Sequence, residues 1–327
     1  MGPEASGLVF GPVCSHRLGL SLGLDLLGSK VCSFDCLYCE VGPTRKLTVE
    51  RRPYVSASQV LTGLESFLAG GHPAFEVVTL GGMGEPTLNS HMAEIIEGVR
   101  QLAPGVPVAV LTNSSLMSDA AVRRELCLAD IVLPSLDSLV QREFLELNRP
   151  RPGLDLADIS QGLLKFREEF SGRLRLEVLL CAGINDTREN LSRLSEFCLK
   201  LRPDQVDVVS LSRPGAYAQA LPAGQEALEL FRQELAALGT LAEKGGGGDK
   251  VSPTLDNGVS HGLQGLEGLV LRSLTRRPQT AGQLSKALGA PESEVLGALS
   301  QLSAEGRVSA RQDHDGFFYF AGSGAGL

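Results

Sequence analysis

Cys32, Cys36 and Cys39 stand in the run Cys-Ser-Phe-Asp-Cys-Leu-Tyr-Cys, a CxxxCxxC triplet. Three thiolates so closely spaced can wrap one face of an iron-sulfur cube and leave the fourth iron open to chemistry. Structural zinc asks for two paired knuckles, and no second pair is present. A disulfide scaffold asks for many cysteines in a short chain, whereas seven are spread over 327 residues. A second segment with chemical character is Gly81-Gly82-Met83-Gly84-Glu85-Pro86-Thr87. Its glycines let the backbone approach a ligand closely, and Glu85 offers an acceptor for an ammonium group or a hydroxyl. Taken alone, it also reads as a Gly-rich turn leading into the helix at His91.

These segments need strands and helices to hold them. Short apolar runs predict strands at 21–27, 75–80, 106–111, 130–133, 174–180 and 206–211. Between them lies helical spacing, as in Met92, Ile95, Ile96, Val99 and Leu102, or Leu191, Leu194, Phe197, Cys198 and Leu201. Such alternation implies a parallel sheet, because each return to the same edge needs a crossover. Six units are too few for a closed eight-unit barrel, so the expected class is α/β with an open or partial (β/α)6 TIM-like barrel. Chemistry then gathers at the C-terminal strand ends. The cysteine loop follows the first strand and the Gly-Glu-Pro loop the second.

Composition sets the surroundings. With 43% hydrophobic residues the chain can bury a substantial core. The N-terminal run has no charged region followed by an unbroken apolar stretch, and no 18-residue apolar run follows, so a cytoplasmic protein without a membrane span is expected. Unpaired cysteines and an oxygen-sensitive cluster suit that reducing compartment. A net charge of -8 argues against nonspecific adhesion to nucleic acid or anionic membranes.

Together, the triplet with Tyr38 before its last cysteine and the Gly-Glu-Pro after the second strand resemble the radical S-adenosylmethionine (SAM) superfamily over residues 8–215. More narrowly, Gly11-Pro12-Val13, Arg17-Leu18-Gly19 and Ser21-Leu22-Gly23 resemble a group described as wyosine-synthase-related iron-sulfur oxidoreductases. The resemblance implies that Cys32, Cys36 and Cys39 hold a 4Fe-4S cluster and that SAM chelates the open iron. Gly84 and Glu85 would approach its methionine amino group. An electron from a donor such as flavodoxin or ferredoxin would release a 5′-deoxyadenosyl radical that abstracts hydrogen from a substrate. Ser135, Asp137, Asn113 and the 181–185 region are candidates for ribose and carboxylate contacts, with helix-capping roles as the alternative. Met83 departs from the Gly-Gly-Glu-Pro pattern, and Gly82 is expected to take over part of that glycine's role.

The scattered Cys14, Cys127, Cys181 and Cys198 do not suit a second cluster. Cys127 and Cys198 fall on helix faces as small buried hydrophobes, while Cys14 and Cys181 are candidates for the reaction chamber, with ordinary packing as the alternative. Arg45, Lys46, Arg51 and Arg52 follow the cluster loop and suit either a substrate anion or a solvated loop. The catalytic residues and the substrate, for which an RNA base is one candidate, are not legible.

The expected organisation is 1–222 for the partial barrel with an N-terminal extension, 223–244 for a packing helix, 245–261 for a Gly-rich linker and 262–327 for a small C-terminal domain. Three helices followed by a two-strand wing resemble a winged helix-turn-helix. This raises an alternative, a cluster-bearing transcriptional regulator. Six Lys or Arg against six Asp or Glu over 261–327 leave no basic face for DNA.

Overall fold

The computed structural model describes residues 7–15, 17–70, 75–239, 263–313 and 316–322. Its main sheet has seven strands in the order β1 (Val9–Ser15), β2 (Gly19–Asp25), β5 (Val77–Gly81), β6 (Val108–Thr112), β7 (Ile131–Pro134), β8 (Arg173–Leu180) and β9 (Gln205–Ser210). From β2 to β9 every pairing is parallel, and β1 alone runs antiparallel, against β2. The sheet is open, with β1 and β9 as its edges. A two-residue pair, β3 (Val31–Cys32) and β4 (Lys46–Leu47), lies within the cysteine segment.

The six predicted parallel strands are present, each within about two residues of its expected bounds. β1 is a difference: the segment expected as an extension pairs with β2. Gly23 makes this possible, because a Cβ there would strike the Phe10 ring, which packs on the bare backbone.

Helices α1 (Ala57–Ala69), α2 (Met92–Leu102), α3 (Ala120–Leu126), α4 (Gln141–Asn148), α5 (Leu156–Glu169) and α6 (Arg188–Leu201) return the chain between strands. Their starts are written in the sequence. Ser56 and Gln59 form a reciprocal capping box on α1, and Asp155 and Thr187 cap α5 and α6. Met92, Ile95, Ile96 and Val99 of α2 join Leu22, Leu24, Leu80, Val110, Leu176 and Val178 in one core. Burying each such side chain stabilises by roughly 1.5–3 kcal/mol. With alternate strand residues spent on the helices, the other set, including Ser21, Thr79, Asn113, Ser135, Arg175, Glu177 and Asp207, belongs to the opposite face.

α7 (Gln225–Ala236) ends earlier than the packing helix expected over 223–244, of which 240–244 lie outside the described residues. Gly239 follows, where a Cβ would come close to Asp204 O. The predicted linker at 245–261 lies outside the described residues. Beyond it, α8 (Leu263–Arg276), α9 (Ala281–Leu288) and α10 (Glu292–Ala304) precede a hairpin of β10 (Val308–Asp313) and β11 (Gly316–Ala321). These elements have their own apolar core, centred on Leu266, Val270, Leu284, Leu299 and Leu302. α8 and α9 also lie against β1. Among the described residues no helix is long and apolar enough to cross a membrane.

Candidate functional site

Asp25, at the end of β2, ties the two chemistry-bearing loops together. Its Oδ1 accepts from Leu27 N at 3.1 Å and from Met83 N at 3.3 Å. Glu85 N donates to Val31 O at 3.2 Å, and a Cβ on Gly84 would collide with that same oxygen. Only glycine lets the loops touch here. Gly82 adopts φ +122 against the Asp25 side chain, so glycine is required there too.

Each cysteine of the triplet has its own side-chain donor. Lys30 Nζ lies 2.9 Å from Cys39 Sγ, Asn113 Nδ2 3.4 Å from Cys32 Sγ and Asn148 Nδ2 3.6 Å from Cys36 Sγ. These donors come from before the loop, from the end of β6 and from the end of α4. The loop's backbone is fixed as well, with Cys39 N donating to Cys36 O, Leu37 N to Leu147 O and Asp35 N to Asn148 O. Burial pushes the Cys32 thiol up to about 11 against the pull of Lys30. Burial, then Cys32 and Cys39, hold Cys36 well above the usual thiol range. Burial by itself would lower the Lys30 ammonium, but Cys39 and Cys32 outweigh it and the net shift is upward.

This donor set fits an iron-sulfur cube. All three thiols are free of disulfides, and once ionised they repel one another, so they need cationic charge between them. Among the described residues no three His, Cys, Asp or Glu side chains converge as they would around a single metal ion. A cube ligated at three corners holds its sulfurs farther apart than one ion does.

Glu85 is 1% exposed and its carboxylate is fully engaged with the protein. Oε1 accepts from Thr87 N (3.1 Å), Thr87 Oγ1 (2.6 Å) and Thr112 Oγ1 (2.7 Å), and Oε2 accepts from Asn113 N (2.7 Å). Burial raises its pKa against those bonds. Asp137 is a second buried hub. It accepts from Tyr38 OH at 2.5 Å, Asn148 Nδ2 at 2.7 Å and Leu179 N at 2.9 Å. Tyr38, Asn113, Ser135 and Asp137 line one narrow cavity with Phe34 and Asn148. Ser135 Oγ also donates to Glu177 Oε1 at 3.4 Å. Glu177 pairs with Arg17, Arg175 with Asp207, and Arg213 with Glu40, the residue after the last cysteine.

Sequence reasoning missed Lys30, Asn148 and Thr112. Lys30 carried a faint signal, a lone charge between two apolar stretches just before the triplet. Asn148, the last residue of α4, carried none. Of the other cysteines, Cys181 is buried with Leu37 and Ile184, and burial pushes it up to about 12. Cys198 is buried in α6. Cys127 is half-buried at the C-cap of α3, where its thiol faces Glu169 O, so the expected burial on a helix face is corrected to a cap. The Cys14 side chain lies outside the described residues.

Lys30→Met removes a buried ammonium from a sulfur. The midpoint potential of the reconstituted cluster is expected to move negative by about 60 mV, a tenfold change in the reduction equilibrium. A redox titration followed by electron paramagnetic resonance measures it, and an unchanged potential removes Lys30 from the site.

A family model described as Radical SAM superfamily matches residues 26–198. A UPF0026 protein of Synechocystis sp. is 37% identical over 207 residues, covering 63% of this chain and 76% of its own. A Brachyspira hyodysenteriae protein named GTPase Obg is 30% identical over 300 residues, or 92% of this chain, but the chain spans only 43% of that relative's length. Among solved structures, a radical SAM methyltransferase from Sphaerobacter thermophilus superposes with a TM-score of 0.51 at 19% identity, over 67% of this chain and 64% of its own.

Proposed function

Because the chain belongs to the radical SAM superfamily, and matches the UPF0026 group within it, we propose that it abstracts hydrogen from a polar substrate at the mouth of a partial (β/α)6 barrel. Radical SAM enzymes use a 4Fe-4S cluster and SAM. When bound, these supply reductive cleavage of the sulfonium and a 5′-deoxyadenosyl radical. Cys32, Cys36 and Cys39 would hold the cluster, with Asn113, Asn148 and Lys30 orienting their sulfurs. Gly82 and Gly84 let the loop close against Asp25 and Val31, which would set the backbone that the methionine amino group approaches. Glu85 fixes Thr112 and Asn113, so it acts by holding the ends of β5 and β6 in register. Tyr38, Ser135 and Asp137 form the wall beside the cluster loop, and Asp137 locks the Tyr38 hydroxyl.

The single observation that carries this reading is the convergence of one N–H donor on each of the three sulfurs, next to the contact of Gly84 with Val31. Substrate class rests on the charged residues of the opposite sheet face, Arg17, Arg175, Glu177 and Asp207. Paired two by two, they suit a polar molecule without selecting its charge, and a base within RNA is the candidate retained.

Residues 262–327 are proposed as a winged-helix module joined to the 1–222 barrel through α7 and a linker. The support is three helices before a hairpin, with Gln279 bridging to Tyr319. Equal numbers of acidic and basic residues there favour contact with protein or substrate over DNA. The superfamily match likewise favours an enzyme over a cluster-bearing regulator. Anaerobic reconstitution with iron, sulfide, SAM and a strong reductant tests the function. Methionine and 5′-deoxyadenosine are expected in equal amounts; a reduced cluster that leaves SAM intact would overturn the enzyme reading.

A further inference from the structure

We propose that the exposed strip formed by Arg45, Lys46, Leu47 and Arg52 is the docking surface for a small acidic protein that carries single electrons at low potential. This rests on the radical SAM reading, which needs electrons from outside. The strip is one strand from a cluster ligand: β4 pairs with β3 so that Leu47 lies opposite Cys32, and Thr48 N donates to Cys32 O at 2.9 Å. Leu47 is 38% exposed, an apolar contact point with cations beside it.

Lys46 Nζ and the Arg52 guanidinium sit over the Tyr54 ring, at 5.6 and 4.6 Å from its centre. Tyr54 packs against the small apolar cluster of Leu27, Val31 and Leu88, and Val31 is the neighbour of Cys32. The cations are thus held in place on an aromatic plate that rests on the cluster strand. Glu50, at 3.3 Å from Lys46, offsets one charge, and no ion pair involves Arg45 or Arg52 among the described residues. Arg51 does not belong to the strip, because Glu125 takes its charge at 2.5 Å.

Charge makes the location selective. The chain carries a net -8 and repels an acidic protein over most of its surface, so a local positive strip determines where such a protein lands. One electron leaves the carrier and reduces the cluster by one. No bond forms or breaks and no proton moves in that transfer. The same cations would suit an RNA backbone, but the strip backs directly onto Cys32 and has an apolar centre, which favours a redox protein.

The test uses the full-length reconstituted protein and the charge-reversed double variant Arg45→Glu/Lys46→Glu. Stopped-flow absorbance follows cluster reduction by a reduced flavodoxin and, separately, by photoreduced 5-deazariboflavin, an uncharged small reductant. The variant is expected to slow the flavodoxin reaction about tenfold at low salt, with the difference shrinking as salt rises, and to leave the deazaflavin rate unchanged. Equal flavodoxin rates would overturn the proposal, as would an equal slowing by both reductants, which would assign the residues to the cluster's environment. A loss of RNA affinity with unchanged flavodoxin kinetics would assign the strip to nucleic acid instead. Arg52→Glu repeats the measurement with a single exposed change should the double variant assemble poorly. The assay reads cluster reduction, so it is independent of whether SAM is later cleaved.

Discussion

Cys36→Ala is expected to reduce iron and sulfide incorporation at least ~10-fold while leaving the apo fold within about 1 kcal/mol of the parent. Cys36 is only half-buried, and the hydrogen bond its sulfur accepts, from Asn148 at 3.6 Å, is long. Asn148 keeps a better acceptor in Asp137 at 2.7 Å, so the loop loses little when the thiol goes. The cluster loses a corner that Cys32 and Cys39 cannot replace, and Cys181, which packs with Leu37 of the loop, is buried in an apolar group. Iron and acid-labile sulfide assays after anaerobic reconstitution, with a thermal melt of the apo protein, separate the two effects. A normal iron content would remove Cys36 from the ligand set.

Glu85→Ala is expected to destabilise the apo protein by about 3–5 kcal/mol, more than a residue that only met a ligand would cost. Truncation leaves Thr87 N, Thr87 Oγ1, Thr112 Oγ1 and Asn113 N without their acceptor in a buried site. Glu85→Gln keeps at most three of the four contacts, with its oxygen in the place of Oε1, and turns an NH2 toward Asn113 N, so it should recover only part of the loss. Urea melts of the apo variants measure this. If Glu85→Ala melts with the parent, the carboxylate is not the clamp between β5 and β6. SAM affinity should be compared only between variants whose melts coincide, because the clamp also positions Asn113 beside Cys32.

The sequence carried the parallel strands because burial on the helix side forces runs such as Leu22, Leu24 and Leu26, or Leu174, Leu176, Val178 and Leu180, with little alternative reading. It carried the cysteine triplet and the Gly-Glu-Pro loop because their spacing is local. What it hid depends on contacts far apart in the chain. Asn148 reaches Cys36 across 112 positions and Asn113 reaches Cys32 across 81, and neither residue type is unusual at a strand or helix end. The clamp that Glu85 makes with Thr112 and Asn113 was hidden for the same reason, because those partners lie 27 and 28 positions away. β1 was placed in an N-terminal extension; its pairing is interrupted, because the register slips between Phe10 and Val13.

That slipped register has a further meaning for solubility. β1 is an outer strand of a seven-stranded sheet, and an outer strand with free backbone groups invites other chains to add to it. Pro12 removes one donor from that edge, the irregularity between Phe10 and Val13 breaks its repeat, and α8 and α9 lie against it. The C-terminal helices therefore act as a guard against sheet growth between molecules, and a chain shortened before α8 gives up that guard along with whatever else those helices do.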